Sequence, residues 1–337
     1  MKVVHLCVSH ISNLPWFWHR ALNEHTEIES VHIYGNEATW FGWDIQYWIR
    51  SKSSDQEREE IVQQIKSADL VIFHGHANEL SLFGGIRLAE LLRGKPILHY
   101  LCAPPHYMLA HANTPLFTWR KAVMRTPHLV VEAGMLGEFP GCEVIPIFLP
   151  AFDDRYLPSP IREDPNRPLR VVISSTAPTA KGVPIMLEGL GLLKQRSRRE
   201  IIVENISGLH HDQLMQVKRE ADFVMESLWS EGGWGLNGCE AASLGKLAVC
   251  RFSPHAKKVY DRILGCGVPQ CISPEPDPES IASAMLPFVE DDSMRIEMGK
   301  SARKWVEKFW SLPARAPLLQ RVIQDFMEHR SNVRHAV

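Results

Sequence analysis

The sequence lacks the features that mark membrane-spanning and secreted proteins. No apolar run reaches the roughly 18 residues that a membrane-spanning helix needs, so we do not expect an integral membrane protein. The N-terminal segment MKVVHLCVSHISNLP breaks its apolar run at His5 and soon turns polar, unlike a signal peptide. The 7 cysteines include no CxxC pair, which indicates idle thiols in a reducing compartment and not a disulfide framework. These absences predict a cytoplasmic protein.

The sequence also carries little net charge. A formal charge of −2 and an isoelectric point near 6.8 create no whole-molecule field that would attract nucleic acid or an anionic membrane. The 337 residues are 45% hydrophobic and 23% charged, which is enough chain and enough apolar surface for two globular domains. No internal repeat or low-complexity segment is visible.

Short β-branched runs separated by helical patterns fill the first half of the chain. This alternation is typical of a parallel sheet with crossover helices. Strands are predicted at residues 3–8, 31–34, 69–74, 96–102, 128–131 and 144–148. Helices are predicted at residues 15–22, 55–67 and 80–92.

A proline-rich stretch separates the two halves. Between residues 150 and 168 prolines and charges interrupt all periodicity, as is typical of an interdomain linker. The alternation then restarts and ends in helices. In this half we predict strands at residues 169–174 and 201–205, and helices at residues 183–195, 278–289, 293–310 and 313–329. The sequence therefore predicts an α/β protein with two similar sheets.

Residues 222–250, DFVMESLWSEGGWGLNGCEAASLGKLAVC, contain the clearest functional pattern. An apolar run leads into a glycine-rich loop, then a helix of small residues that carries Glu240, then a second apolar run. Glycines let the backbone approach a phosphate, and the N–H groups of the following helix stabilise its negative charge. This order of elements predicts a site for a phosphorylated ligand.

The second half resembles the GT-B glycosyltransferases of the GT4-like group. In that family the second domain opens with a strand, a loop ending in Lys-Gly and a helix, which matches VVISSTAPTAKGVPIMLEGLGLL. A later glycine loop and Glu-Ala helix match GGWGLNGCEAASLGKLAV, and PDPESIASAMLPFVEDDSMRIEMGKSARKWVEKFW is similar to the closing helices. The resemblance runs from about residue 170 to residue 310. It is looser before, where DLVIFHGH and GKPILHYL are similar to the first domain.

The resemblance implies the GT-B fold, with two Rossmann-like domains whose parallel sheets face each other across a cleft. Residues 1–160 would form the N-terminal, acceptor-side domain. Residues 161–312 would form the C-terminal domain that binds the nucleotide sugar. Residues 313–337 would form a helix that packs back toward the N-terminal domain.

The resemblance also implies which residues hold the donor, a nucleotide-diphosphate sugar. Lys181 would supply a point charge to the diphosphate, and the amides of the glycine loop would cradle it without a metal. Glu240 would accept hydrogen bonds from the two ribose hydroxyls. The donor-binding set consists of Ser175, Thr176, Lys181, Gly182, Gly232, Gly233, Trp234, Gly235, Leu236, Asn237 and Glu240. No metal and no cofactor beyond the donor itself is expected.

Two positions depart from the family pattern. Gly232 stands where the family usually has a glutamate that contacts the donor sugar, and Cys102, at the end of the strand predicted over residues 96–102, stands where the family often has a histidine. The first domain nevertheless offers four candidates for catalytic or acceptor contact, which are His74, His76, His106 and Cys102.

Other interpretations of these motifs are weaker. The segment GWGLNG fits the GxGxxG fingerprint of dinucleotide-binding proteins, but it follows a late strand, and Asp261, at the expected acidic position, falls in a predicted helix. The HGH segment at residues 74–76 has no further ligands at metal-site spacing. A glycine-rich turn without any ligand stays open as an interpretation.

We therefore expect a hexosyltransferase that moves a sugar from a UDP- or GDP-sugar to a hydroxyl acceptor, with retention and without a metal. The acceptor stays open among a saccharide, a lipid head group, a protein and a modified base in nucleic acid. One alternative is an epimerase or hydrolase of nucleotide sugars on the same fold. The other is a non-catalytic GT-B-like binding or partner subunit, which the departures at Gly232 and Cys102 would suit.

Overall fold

The computed structural model describes most of the chain. The described residues are 1–7, 13–35, 46–50, 52–75, 77, 82–83, 85–102, 128–131, 135–136, 142–159, 167–175, 177–229, 233–262 and 264–335. The chain divides into two compact units. Unit 1 contains residues 1–131, 138–146 and 312–337, and unit 2 contains residues 132–137 and 147–311.

Unit 1 is built on a parallel sheet of seven strands in the order β3-β2-β1-β4-β7-β8-β9. The strands are β1 (Lys2–Cys7), β2 (Glu29–Tyr34), β3 (Tyr47–Trp48), β4 (Leu70–His74), β7 (Ile97–Leu101), β8 (His128–Val130) and β9 (Glu143–Val144). The central strands β1 and β4 are buried almost throughout, which explains why their sequences are nearly continuous apolar runs.

Helices α1 (Leu14–His25) and α2 (Asp55–Ser67) pack against strands of this sheet, and α11 (Leu312–His335) belongs to the same unit. Helix α2 begins with a capping box, in which the Ser54 side chain accepts from the Glu57 N–H and the Glu57 carboxylate accepts from the Ser54 N–H. Its buried face carries Ile61 and Ile65 into the core beside β4. Helix α11, the last in the chain, packs against α1.

The helix predicted over residues 80–92 is wrong for most of its length. The structure has a short antiparallel hairpin there, β5 (Leu82–Phe83) and β6 (Ile86–Arg87), followed by the single-turn helix α3 (Leu88–Leu91). Phe83 pairs directly with Ile86, which leaves a two-residue Gly-Gly connection, and Gly85 has φ +90°. A glycine pair at a two-residue turn favours a hairpin over a helix.

Unit 2 has a parallel sheet of four strands in the order β11-β10-β12-β13. These strands are β10 (Leu169–Ser174), β11 (Ile201–Ile206), β12 (Phe223–Met225) and β13 (Leu247–Val249). The helices are α4 (Pro178–Lys181), α5 (Val183–Arg196), α6 (His211–Glu220), α7 (Leu236–Ser243), α8 (Pro254–Arg262), α9 (Pro278–Glu290) and α10 (Asp292–Phe309).

Close helix contacts build the core of unit 2. Helices α5 and α9 approach so closely that a Cβ atom added at Gly189 would lie 2.7 Å from Ile281 Cβ. Their apolar faces join the inner residues of the sheet in one buried cluster. Among the described residues, no helix combines the length and the apolar character that a membrane crossing would require.

A buried arginine anchors the segment that precedes the sheet. The Arg303 guanidinium donates to the carbonyl oxygens of Ala151, Tyr156 and Ser243 at 2.6–2.7 Å. Ser243 is the last residue of α7, so this one side chain ties residues 151–156 to the end of that helix. These three charge-assisted hydrogen bonds offset the desolvation cost of the buried guanidinium.

Candidate functional site

The donor-site residues predicted from the sequence gather at one edge of the unit 2 sheet. Strands β10 and β12 are parallel neighbours, so their carboxyl ends lie side by side, and the loops after them meet there. Ser174 ends β10, Glu226 directly follows β12, and α7 begins nearby at Leu236. Of the predicted set, Thr176 and Gly232 lie outside the described residues.

Lys181 ends the short helix α4, and the turn that follows it is tightly packed. Gly182 has φ +79°, and a Cβ atom there would lie 2.6 Å from the indole Nε1 of Trp229. The Leu228 N–H donates to the Lys181 carbonyl oxygen at 3.3 Å, so the loop after β12 is fastened to this turn. The Lys181 ammonium donates to Glu226 Oε1 at 3.1 Å, and its side chain keeps 28% exposure.

Glu226 is a buried carboxylate that the sequence analysis did not single out. Its side chain is 1% exposed and accepts from the Ser227 N–H at 2.9 Å and the Gly238 N–H at 3.1 Å, besides the Lys181 ammonium. Burial alone raises the pKa of this carboxyl. The charge of Lys181 and these hydrogen bonds outweigh burial, so the pKa lies below its usual range and Glu226 is ionised.

The glycine loop has little room for side chains. Gly233 has φ +92°, and a Cβ atom there would lie 2.0 Å from the Phe252 ring. At Gly235 a Cβ atom would lie 2.9 Å from Glu226 Oε2. The buried Trp234 ring packs edge-on against Trp310, with centroids 5.7 Å apart. Loop and helix are therefore held in one position by the groups packed around them.

The N-terminal turn of α7 faces this loop. The first N–H groups of a helix have no acceptor within the helix, and they give that end partial positive charge. The Glu226 carboxylate accepts a hydrogen bond from the Gly238 N–H. Gly235, Leu236 and Asn237, at the start of the helix, are only half-buried. The Asn237 side chain fixes this end to β10, since its Nδ2 donates to the Ser174 carbonyl and its Oδ1 accepts from the Ser174 hydroxyl.

Glu240 lies one turn further along α7 and is 1% exposed. His211 Nε2 donates to its Oε1 at 2.6 Å, and Lys218 Nζ donates to its Oε2 at 2.5 Å. Burial alone would raise the pKa of this carboxyl, but Lys218 and His211 lower it to about 2. Glu240 therefore keeps its negative charge at neutral pH.

The partners of Glu240 stand in no sequence motif, but their spacing along the chain indicates burial. His211, Met215 and Lys218 recur at helical spacing and form the buried face of α6, so the periodicity already placed both polar residues inward. Lys218 also donates to Asn237 Oδ1 at 2.5 Å, which joins the Ser174, Asn237 and Glu240 contacts into one network.

Ser175 follows β10 and is nearly buried. Its hydroxyl accepts from the Ala177 N–H at 3.0 Å, which shapes the loop that leads into α4. The structure thus brings together Ser175, Lys181, Gly235, Asn237 and Glu240 at or beside the carboxyl edge of one sheet.

The candidates in unit 1 form a separate group. His74 ends β4, is buried, and shares a hydrogen bond of 2.9 Å between its Nε2 and His5 Nδ1. Burial and the nearby His32 lower the pKa of His74 to about 3, so it is neutral at physiological pH. Burial raises the pKa of the Cys102 thiol well above its usual range. His76 and His106 lie outside the described residues.

The described part of the chain contains no cluster of three or more histidine, cysteine, aspartate or glutamate side chains placed to hold a metal ion.

Neither a protein-family model nor a curated protein sequence matches this chain. HepE of Anabaena, solved in complex with UDP-glucose, superposes with a TM-score of 0.67 at 13% identity, covering 96% of this chain and 100% of HepE. An alpha-glucosyltransferase solved with UDP-glucose and DNA containing an abasic site gives a TM-score of 0.64 at 10% identity, covering 97% and 99%.

A third similar structure is a putative UDP-N-acetylglucosamine 2-epimerase from Listeria monocytogenes. Its TM-score is 0.54 at 11% identity, and the match covers 98% of this chain and 97% of that one. These similarities extend over nearly the full length of every chain, although few residues are identical. The prediction of an α/β protein with two parallel sheets is confirmed, and the chain has the GT-B fold.

Proposed function

We propose that this protein is a glycosyltransferase that moves a hexose from a nucleotide-diphosphate sugar, UDP- or GDP-linked, to a hydroxyl acceptor. One observation carries the proposal. The Lys181 ammonium and the N-terminal turn of α7 converge at the carboxyl edge of a parallel sheet, beside a glycine loop with no space for side chains. The GT-B fold shared with proteins solved with UDP-glucose supports it.

The chemistry requires stabilisation of a departing diphosphate. When the bond between the sugar and the diphosphate breaks, negative charge develops on the leaving oxygen, and donors already in place lower the barrier. Lys181 supplies a full positive charge, and the α7 N-terminus supplies N–H groups and a partial one. We propose that the leaving group needs no metal and that the sugar is transferred with retention, as the resemblance to GT4-like enzymes implies.

The nucleoside would be held by the network around Glu240. Glu240 is the ribose acceptor that the resemblance implies, and because its side chain is 1% exposed and engaged by Lys218 and His211, ribose binding would require the groups around it to move. Ser175, Gly182, Gly233, Trp234 and Leu236 complete the described part of the donor site. Thr176 and Gly232 belong to the proposed site on the sequence alone.

Unit 1 would bind the acceptor. The four candidates for contact with the acceptor or the reacting sugar remain His74, His76, His106 and Cys102. Because His74 is neutral and buried beside His5, it would serve as a hydrogen-bonding group and not as a cationic acid. The acceptor itself could be a saccharide, a lipid head group, a protein or a modified base. The proposed location is the cytoplasm.

The similarity to a putative 2-epimerase favours a second candidate function. An epimerase or hydrolase of nucleotide sugars would use the same diphosphate site without a second substrate. A non-catalytic subunit would bind the donor and leave it unchanged.

A two-step experiment tests these functions. UDP- and GDP-sugars are first screened by thermal shift, because a ligand that binds the native state raises the melting temperature. The best donor is then incubated without acceptor and with an acceptor panel. Transfer only when an acceptor is present supports the glycosyltransferase, and conversion or hydrolysis of the donor alone supports the alternative. Binding without any reaction supports a non-catalytic subunit, and no shift with any nucleotide sugar contradicts all three.

A further inference from the structure

We infer that Glu226 positions Lys181 for the donor diphosphate. The inference rests on the proposed function and adds a residue to it. Glu226 would touch neither the phosphates nor the sugar. It would act through the ammonium group that does.

The buried Glu226 carboxylate lies beside the proposed diphosphate site, where a negative charge is unfavourable by itself. A negative charge close to a diphosphate weakens its binding unless a positive charge lies between them. Glu226 is 1% exposed, whereas the Lys181 side chain keeps 28% exposure, so the ammonium is the partner that a ligand can reach. The pair therefore has an inner, negative member and an outer, positive member.

The carboxylate is itself fixed by the backbone. Its Oε1 accepts from the Ser227 N–H at 2.9 Å and from Lys181 Nζ at 3.1 Å, and its Oε2 accepts from the Gly238 N–H at 3.1 Å. Gly238 is the third residue of α7, so one carboxylate connects Lys181 to the helix end that would face the same phosphates. The two sources of positive charge are thus held at a constant separation.

The surrounding sequence accommodates this carboxylate. A Cβ atom added at Gly235 would lie 2.9 Å from Glu226 Oε2, so any side chain at this position would displace the carboxylate. A lysine side chain that is free to move contributes less to the affinity for a ligand, because binding must then restrict its rotamers. Glu226 removes that cost before the donor arrives.

The test is a double-mutant cycle on Lys181 and Glu226, read by calorimetry. The probe is UDP or GDP, whichever binds the unaltered protein more tightly. Glu226→Gln keeps the size of the side chain, removes its charge, and should weaken nucleotide binding about tenfold, the usual worth of a charge-assisted hydrogen bond. In the Lys181→Ala background the same change should cause no further loss, or should strengthen binding, because Glu226 then faces the phosphates without its counter-charge.

A matched control lies at the other end of the same strand. Asp222 directly precedes β12, is buried, and pairs with Arg167, just as Glu226 directly follows β12 and pairs with Lys181. Asp222→Asn removes a buried carboxylate from the same sheet, far along the strand from the donor edge. It should leave nucleotide affinity unchanged in the folded protein, so a loss confined to Glu226→Gln does not come from general destabilisation.

The outcomes separate this inference from the proposed function. No binding of either nucleotide to the unaltered protein, or full binding to Lys181→Ala, overturns the proposed site and this inference with it. Nucleotide binding that depends on Lys181 but is unchanged or stronger in Glu226→Gln overturns the inference alone. So does an equal loss in both backgrounds.

A second substitution covers the case in which Glu226→Gln does not fold. Glu226→Asp keeps the charge but shortens the reach by one methylene. It should weaken nucleotide binding more than Asp222→Asn does. Affinity equal to that of Asp222→Asn overturns the inference.

Discussion

Lys218 and Glu240 form a buried ion pair, with 2.5 Å between Nζ and Oε2 and at most 1% exposure on either side chain. The pair connects α6 to α7, and Lys218 extends the connection to Asn237. The carboxylate that the sequence assigns to the ribose is therefore also a structural group. Its charge is balanced within unit 2 before any ligand binds.

Replacement of Lys218 by methionine should destabilise the protein strongly. The substitution keeps an apolar stem of similar length but leaves Glu240 buried with less positive charge nearby, which typically costs about 3–5 kcal/mol of unfolding free energy. Urea unfolding measures the change.

The control for Lys218→Met is Lys194→Met on α5, where the lysine is exposed and the change should stay within about 0.5 kcal/mol. The double variant Lys218→Met with Glu240→Gln should recover part of the loss, because it also removes the buried charge. A loss at Lys218 no larger than that at Lys194 would contradict the structural role of the pair.

The histidines of unit 1 should make stability depend on pH. Burial, together with neighbouring histidines, lowers the pKa of His5 well below 6.5 and that of His74 to about 3. The unfolded chain takes up protons near pH 6.5, but the folded chain does not, so protonation favours the unfolded state. The free energy of unfolding therefore has its full value above pH 6.5 and should fall as the pH drops below 6.5. Each such group contributes about 1.4 kcal/mol per pH unit.

Urea unfolding at pH 7.5, 6.0 and 5.0 measures that slope. His74→Gln should reduce it, whatever the substitution does to stability at pH 7.5. His329→Gln, at an exposed position of α11, should leave the slope unchanged. A native slope that survives in His74→Gln would show that His74 is not held neutral by the fold.

The glycine loop gives a steric prediction. Gly233→Ala places a Cβ atom 2.0 Å from the Phe252 ring at a backbone φ of +92°, so both strain and overlap oppose it. Gly208→Ala has a similar φ of +75° but meets nothing within 4 Å, and it should cost only the strain of about 1 kcal/mol. Gly233→Ala should lose at least about 2 kcal/mol more by urea unfolding, since overpacking typically costs 1–3 kcal/mol. Equal losses would contradict the packing of the loop.

The sequence is sufficient to predict elements whose signals are local. Helix α2 begins where Ser54 and Glu57 form a capping box and has the predicted bounds, and β10 matches its prediction as well. The hairpin at β5 and β6 was missed because its apolar spacing also fits a helix. Only the glycine pair between Phe83 and Ile86 distinguishes the two.

The candidate site is predictable only where its residues stand in sequence motifs. Lys181 and Glu240 stand in recognisable motifs, and the strand order places their loops at one edge of the sheet. Glu226 and Lys218 stand in no motif, and their importance comes from burial against charges 45 and 22 residues away. From the sequence alone, a charged residue is expected on the protein surface. It is buried only where tertiary packing brings it a partner of opposite charge, and that partner is not visible in the sequence.

The central claim is that Lys181 binds the diphosphate of a nucleotide-sugar donor. Calorimetric titration of UDP and GDP into the unaltered protein, Lys181→Ala and Lys194→Ala tests it most directly. We predict that one nucleotide binds, that Lys181→Ala weakens it about tenfold or more under conditions in which the variant is still folded, and that Lys194→Ala changes nothing. Equal affinities in all three proteins, or no binding to any, would contradict the claim.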